Sequence, residues 1–197
     1  MSDFEFLKEH VDPTDSKFNM ESWFRRFGAQ YKIKSAICKQ QNPKLIVEIG
    51  VRAGYSALCF MHACPAAKYI GYDNESYGQG NNFTQWARQL LNPYDAEIRI
   101  VNTQAVGELA LQNVDFAHID GNHAQAAVEH DLNLIWPCLS DSGTILLDDM
   151  CMEPVNRAIR DWMLLHESEI NYEYVLSRTG EMIIRKAGNH TRFYQTK

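Results

Sequence analysis

Acids close four of the apolar runs in this chain. Leu45-Ile46-Val47 runs into Glu48, Lys68–Tyr72 into Asp73, Val114–Ile119 into Asp120, and Thr144–Leu147 into the pair Asp148-Asp149. A carboxylate at a strand end can accept a hydrogen bond from a ligand hydroxyl, hold a cation or exchange a proton, and its setting narrows the choice. Glu48 is followed by Gly50, Gly54 and a helical pattern, which reads as a strand, a tight turn and a helix N-terminus. Gly50 can turn without a Cβ clash and lets a ligand approach the main chain. The helix start offers unpaired N–H groups and a partial positive charge. In open α/β sheets such a turn lies at the carboxyl edge of the strands, where nucleotide-like ligands bind. The spacing Gly50-Val51-Arg52-Ala53-Gly54 is not the G-x-G-x-x-G of dinucleotide sites. Val51 and Arg52 stand where a pyrophosphate needs bare backbone, and the acid before Gly50 suits a hydroxyl-bearing or cationic ligand better. An ordinary βα turn without a ligand is the alternative. Asp73 follows the glycine turn by about 20 residues, where nucleotide-binding folds place an acid on the ribose hydroxyls; a turn-forming aspartate is the alternative. Asp120 opens Asp120-Gly121-Asn122-His123. With an ordinary pKa of about 6.5, His123 can take a proton near neutral pH. It could equally cap the helix that follows, orient a bound water or touch a cofactor.

Alternating strands and helices must position these groups. Residues 1–43 read as a helical lead-in, with Trp23, Phe24, Phe27, Tyr31 and Ile37 near helical spacing and Asn42-Pro43 as the stop. The Trp23–Tyr31 stripe suits core or dimer contact. Strands are expected at Lys44–Ile49, Lys68–Asp73, Glu97–Val101, Val114–Asp120 and Thr144–Asp148. Helices are expected at Gly54–Cys64, Phe83–Leu91, around Val106–Leu111, within Ala124–Pro137 and at Val155–His166. Tyr172–Ser177 and Glu181–Lys186 flank a turn short enough for an antiparallel hairpin. Five βα units and a hairpin predict one α/β domain over residues 1–197, whose core, 44–186, is a doubly wound, Rossmann-like sheet with an antiparallel edge. The Asn74–Asn82 loop is rich in Gly, Asn and Ser and could cover a ligand. His118, inside a strand, reads as a core histidine. Arg157 and Arg160 could meet an acidic substrate or simply line an exposed helix face.

Composition excludes several classes. The chain has 197 residues, 45% of them hydrophobic and 22% charged, as in an ordinary globular domain. A net charge of −6 argues against a nucleic-acid surface. No apolar run approaches the roughly 20 residues of a membrane span, and the acidic start lacks the features of a signal peptide. Five scattered cysteines without a C-x-x-C pair point to a reducing, cytoplasmic setting rather than to disulfides or zinc.

The E-x-G-x-x-x-G of Glu48–Gly54 resembles motif I of class I S-adenosylmethionine (SAM) methyltransferases. The resemblance implies strand order 3-2-1-4-5-7-6. It implies that Glu48 and the glycine turn (Gly50, Val51, Gly54, Tyr55, Ser56) hold the methionine part of SAM. It further places Asp73 on the ribose, Asn102, Thr103 and Gln104 near the adenine, and Asp120 beside the cofactor. Asp120-Gly-Asn-His123 with a later Asp148-Asp149 is similar to the metal-dependent O-methyltransferases, nearest the macrocin-type sugar and aminocoumarin-type branch. Asp149 follows that branch, since catechol and caffeoyl-CoA enzymes carry Asn there. Asn122 departs from the D-G-D common in the branch and cannot act as a base, while His123 stands where the catechol enzymes carry a catalytic Lys. With strands four and five adjacent, Asp120, Asp148 and Asp149 converge. Converging carboxylates need a cation or a proton, and oxygen ligands suit Mg²⁺. The expectation is therefore a SAM- and divalent-metal-dependent O-methyltransferase. Its acceptor would be a small hydroxylated molecule (sugar, phenol or natural-product scaffold), His123 its base and a homodimer its assembly. A catalytically silent SAM-binding module is the main alternative. A nicotinamide oxidoreductase and a metal hydrolase fit the glycine spacing and the acids less well.

Overall fold

The computed structural model describes residues 20–76 and 82–188, with side chains from residue 28 onward. Residues 1–19 of the expected lead-in, the side chains of Trp23, Phe24 and Phe27, and residues 77–81 of the loop expected to cover a ligand lie outside this description. In chain order the elements are α1 (Met20–Gln41), β1 (Leu45–Ile49), α2 (Tyr55–Ala63), β2 (Lys68–Asp73), α3 (Phe83–Leu91), β3 (Ala96–Ile100), β4 (Val114–Ile119), α4 (Gln125–Ile135), β5 (Leu139–Leu147), α5 (Glu153–Leu165), β6 (Ile170–Val175) and β7 (Glu181–Lys186). The sheet runs β3-β2-β1-β4-β5-β7-β6. Its first five strands are mutually parallel, and β7 lies antiparallel to both β5 and β6. This is the doubly wound order implied by the resemblance. Among the described residues no helix is long and apolar enough to cross a membrane.

The period of two along each strand sorts side chains onto two faces. Ile46, Phe116, Leu146 and Ile183 face a core shared with Ile37 and Cys38 of α1 and with α2 and α3. Val47, Ala117, Ile119, Ile145 and Leu147 face the core under α4 and α5. The same parity puts Glu48, His118 and Asp148 on the α1 side of the sheet, at or just before the strand tips. Helix α1 packs against α2 and covers that side.

Two elements differ from expectation by more than two residues at an end. No helix forms at 106–111; a single 3-10 turn at Thr103–Ala105 takes its place. The stretch is too short to repay helix nucleation and contains Gly107. Its start is instead pinned from α4, where the His130 Nε2 lies 2.9 Å from the Thr103 carbonyl and 3.0 Å from that of Val106. Strand β5 begins at Leu139 rather than Thr144, with a register irregularity opposite Val114–Phe116. The polar Ser140–Ser142 segment hides this extension from a reading of apolar runs.

Candidate active site

A cleft of about 580 Å³ opens at the carboxyl ends of β1, β2 and β4. The glycine turn, Asp73, Val101, Thr103, Gln104 and Asp120–His123 line it, and Tyr31 of α1 contributes from above. Gly50 has φ 92, and a Cβ there would lie 2.0 Å from the Asp120 carbonyl oxygen. The glycine is thus demanded by the close passage of the β1 and β4 tips, with or without a ligand. Gly54 (φ 79) starts α2, and a Cβ there would meet Ala87 of α3 at 2.8 Å. The Arg52 N–H donates to Asp73 Oδ2 (2.8 Å) and the Glu75 N–H to Oδ1 (2.7 Å). Each oxygen of Asp73 is anchored by one backbone donor and keeps acceptor capacity toward the cleft.

Several expected cofactor residues are turned elsewhere. Glu48 is fully buried. Ser56 donates to its Oε1 at 2.5 Å, the Tyr69 hydroxyl bonds Oε2, and His118 Nδ1 lies 2.7 Å from Oε1. Glu48 therefore ties β1 to α2, β2 and β4 and is not among the residues lining the cleft. Val51, Tyr55 and Ser56 line the cleft while largely buried. Asn102 accepts the Gln104 N–H, capping the 3-10 turn, and is not among the lining residues. Thr103 Oγ1 and Gln104 Nε2 donate to Asp131 Oδ1 at 2.8 and 2.9 Å, so their side chains serve α4 while the segment lines the cleft. Burial lifts the Asp131 carboxyl to about 6, against the lowering effect of these hydrogen bonds.

The acids of β4 and β5 do gather, in two groups. Donor atoms of Asp120, His123 and Asp149 lie within 4.8 Å of one another, and so do those of His118, Asp120 and Asp148. Asp149, in the left-handed region at φ 60, lies at the tip of β5. Its Oδ2 is 3.1 Å from His123 Nε2, which is also 3.6 Å from Asp120 Oδ1. These are ion-pair contacts without hydrogen-bond alignment at Nε2. The contact with Asp120 raises the pKa of His123 against the opposing effect of burial, and Asp149 adds to the rise. Burial and the charges of Asp148 and Asp120 raise Asp149 to about 6.

Asp148 has a different environment. The Lys34 ammonium of α1, 1% exposed, lies 2.5 Å from its Oδ2 and 3.7 Å from Asp120 Oδ2. Gln30 Nε2, one helical turn earlier, donates to both Asp148 oxygens at 2.9 and 2.6 Å. Thr179 Oγ1 and the Asp149 N–H each donate to Oδ1 at 2.7 Å. Burial would raise the Asp148 pKa, but Lys34 outweighs it and holds the carboxyl below its ordinary range. Burial likewise opposes the charge on Lys34, and Asp148 and Asp120 together raise its pKa. Donors thus fill the acceptor capacity of Asp148, with a cation already between it and Asp120. The divalent-ion site expected of Asp120, Asp148 and Asp149 does not fit this arrangement. Lys34, Gln30 and Thr179 had no prominence in the sequence. The one available signal was a lysine in the buried stripe of α1, one turn before Cys38 and three residues before Ile37.

A family model described as a methyltransferase domain matches residues 47–150. No curated protein matches the chain in sequence. Among solved structures, the O-methyltransferase TomG from Streptomyces achromogenes, in complex with SAM, superposes with a TM-score of 0.64 at 13% identity, covering 93% of this chain and 95% of its own. CalS11, a TDP-rhamnose 3'-O-methyltransferase of calicheamicin biosynthesis, gives 0.67 at 16% identity, covering 91% and 90%. An O-methyltransferase from Bacillus cereus in complex with S-adenosylhomocysteine (SAH) gives 0.62 at 16% identity, covering 80% and 81%. These likenesses extend the agreement in fold beyond the matched segment. By sheet order, strand-end motifs and the family match, the chain belongs to the methyltransferase-domain family.

Proposed function

We propose that this protein transfers a methyl group from SAM to a hydroxyl of a small-molecule acceptor. The observation that carries the reading is that Asp73, Asp120 and His123 line a single cleft, with Asp149 3.1 Å from His123. The cleft falls within the roughly 300–1,000 Å³ range of cofactor and small-molecule sites. SAM would supply an electrophilic methyl whose C–S bonding pair stays on sulfur as the new O–C bond forms. Asp73, anchored by the N–H groups of Arg52 and Glu75, would accept hydrogen bonds from the ribose hydroxyls. His123 would take the acceptor's O–H proton, and its contacts with Asp120 and Asp149 would stabilise the imidazolium that results. Asp148 is already paired, so the divalent ion implied by the resemblance has no free three-carboxylate site, and proton removal rests on His123. Sugars, phenols and natural-product scaffolds all present suitable hydroxyls, and the TDP-rhamnose methylation named for CalS11 makes sugar nucleotides a sensible first panel.

Calorimetry with SAH, followed by transfer of labelled methyl to an acceptor panel, tests the reading. One SAH per chain is expected, weakened about tenfold or more by Asp73→Ala, the loss of roughly one charge-assisted hydrogen bond. Absence of SAH binding would refute the reading. Binding without transfer to any hydroxyl acceptor would favour the silent-module alternative.

A further inference from the structure

Two carboxylates at neighbouring strand tips repel each other unless a proton or a cation intervenes. Here the cation belongs to the chain. Lys34 comes from α1, 114 residues before Asp148, and places its ammonium 2.5 Å from that carboxylate and 3.7 Å from Asp120. The position is built rather than incidental. Gln30 bonds both oxygens of Asp148 from the preceding turn, Thr179 bonds one from the β6–β7 turn, and Lys34 is almost fully buried. The effect continues outward. Asp120 turns Oδ2 toward Lys34 and Oδ1 toward His123, and His123 in turn meets Asp149. The charges therefore alternate from Asp148 through Lys34, Asp120 and His123 to Asp149, the histidine being cationic when protonated.

We propose that Lys34 is the resident cation of this site, its ammonium holding the place that a divalent ion would take between Asp148 and Asp120, so that methyl transfer here runs without a divalent metal. The proposal rests on the methyltransferase reading for its catalytic half only. An ion seated on Asp148 and Asp120 would approach their oxygens to about 2.0–2.1 Å if it were Mg²⁺. The ammonium already in contact with the same Oδ2 would then be expelled from its buried position or left beside a dication. Lys34 is a positioning residue in this scheme, acting on His123 through Asp120.

The test is a Mn²⁺ titration of chelator-treated protein, with free Mn²⁺ followed by electron paramagnetic resonance, run with and without SAH. Wild type is expected to take up no stoichiometric Mn²⁺ at submillimolar concentration and to turn over equally well in excess chelator. Lys34→Met removes the ammonium but keeps the apolar stem, and is expected to take up one Mn²⁺ per chain, an uptake abolished by adding Asp148→Asn. Lys34→Arg keeps the charge and should take up none. Stoichiometric uptake by wild type that is lost in Asp120→Asn overturns the proposal, and so does a folded Lys34→Met protein without uptake. Should Lys34→Met fail to fold, wild type and Lys34→Arg still decide. SAH calorimetry on the same samples keeps the two readings apart. Failure to bind SAH removes the methyltransferase reading but leaves the Mn²⁺ result standing, whereas SAH binding with stoichiometric Mn²⁺ uptake removes only the role of Lys34.

Discussion

Asp120 divides its oxygens between two cationic groups, Lys34 inside the protein and His123 at the cleft. That division suits His123 to receive a proton, because the imidazolium it becomes already faces Asp120 and Asp149. Replacing His123 with Ala should lower the rate of methyl transfer by about 10²–10⁴-fold, the usual contribution of a positioned base, while leaving SAH affinity nearly unchanged. Equal losses in both measurements would assign His123 to the cofactor instead. Asp131 offers a pH test away from the chemistry. Burial raises its carboxyl to about 6 in the folded protein, above the ordinary value it has when unfolded. The native state therefore holds this proton more tightly, and the associated stability is present at low pH and lost as pH rises through about 6. Asp131→Asn keeps an acceptor for Thr103 without the buried charge. Its midpoint in urea should exceed that of wild type at pH 8, by up to about 3 kcal/mol of stability, and the difference should shrink toward pH 4. At this scale the acids were legible, because a carboxylate closing an apolar run is conspicuous. The partners of Asp148 were not, because a lysine on a helix gives no sign in sequence of facing inward.

Strand parity governs what the elements contribute. A residue two positions along a strand returns to the same face, so Glu48, His118 and Asp148 fall under α1, while Ile49, Ile119 and Leu147 turn to the opposite core. The pattern of apolar runs therefore located β1, β2, β4, β7 and the helices between them. It could not say which acids would face the cleft. Glu48 illustrates this, since its strand-end position suggested ligand contact but its parity and the reach of Ser56, Tyr69 and His118 bury it. The helix expected at 106–111 shows the converse error, a local apolar pattern overruled by pinning from His130. Gly50 makes the element-scale constraint measurable. A Cβ 2.0 Å from the Asp120 carbonyl, on a backbone at φ 92, can be accommodated only by separating the tips of β1 and β4. Gly50→Ala should cost upward of about 3 kcal/mol in chemical denaturation, beyond the range of most point substitutions. A near-neutral result would show that these tips can part freely.

At the scale of the whole molecule, the Lys34–Asp148 pair ties the first described helix to the fifth strand, and through Gln30 and Thr179 it joins α1 to the β6–β7 turn as well. Breaking a buried pair leaves an uncompensated charge in the interior, which typically costs about 3–5 kcal/mol, far more than a surface pair. Lys34→Met should therefore destabilise the protein by about that much in urea unfolding, and Asp148→Asn by less, since Asp120 still faces the ammonium. The double variant Lys34→Met with Asp148→Asn should recover much of the loss, giving a coupling energy well outside the roughly 0.3–0.5 kcal/mol within which independent sites add. Additive losses would mean that the two groups act separately and that the helix is held by its apolar stripe alone. If the coupling is found, millimolar Mn²⁺ should restore part of the stability of Lys34→Met, and of that variant only, because a ligand that binds the folded state stabilises it by mass action. A rescue of that kind would show one position at the strand tips accepting either an ammonium supplied by the chain or a metal supplied by the solvent.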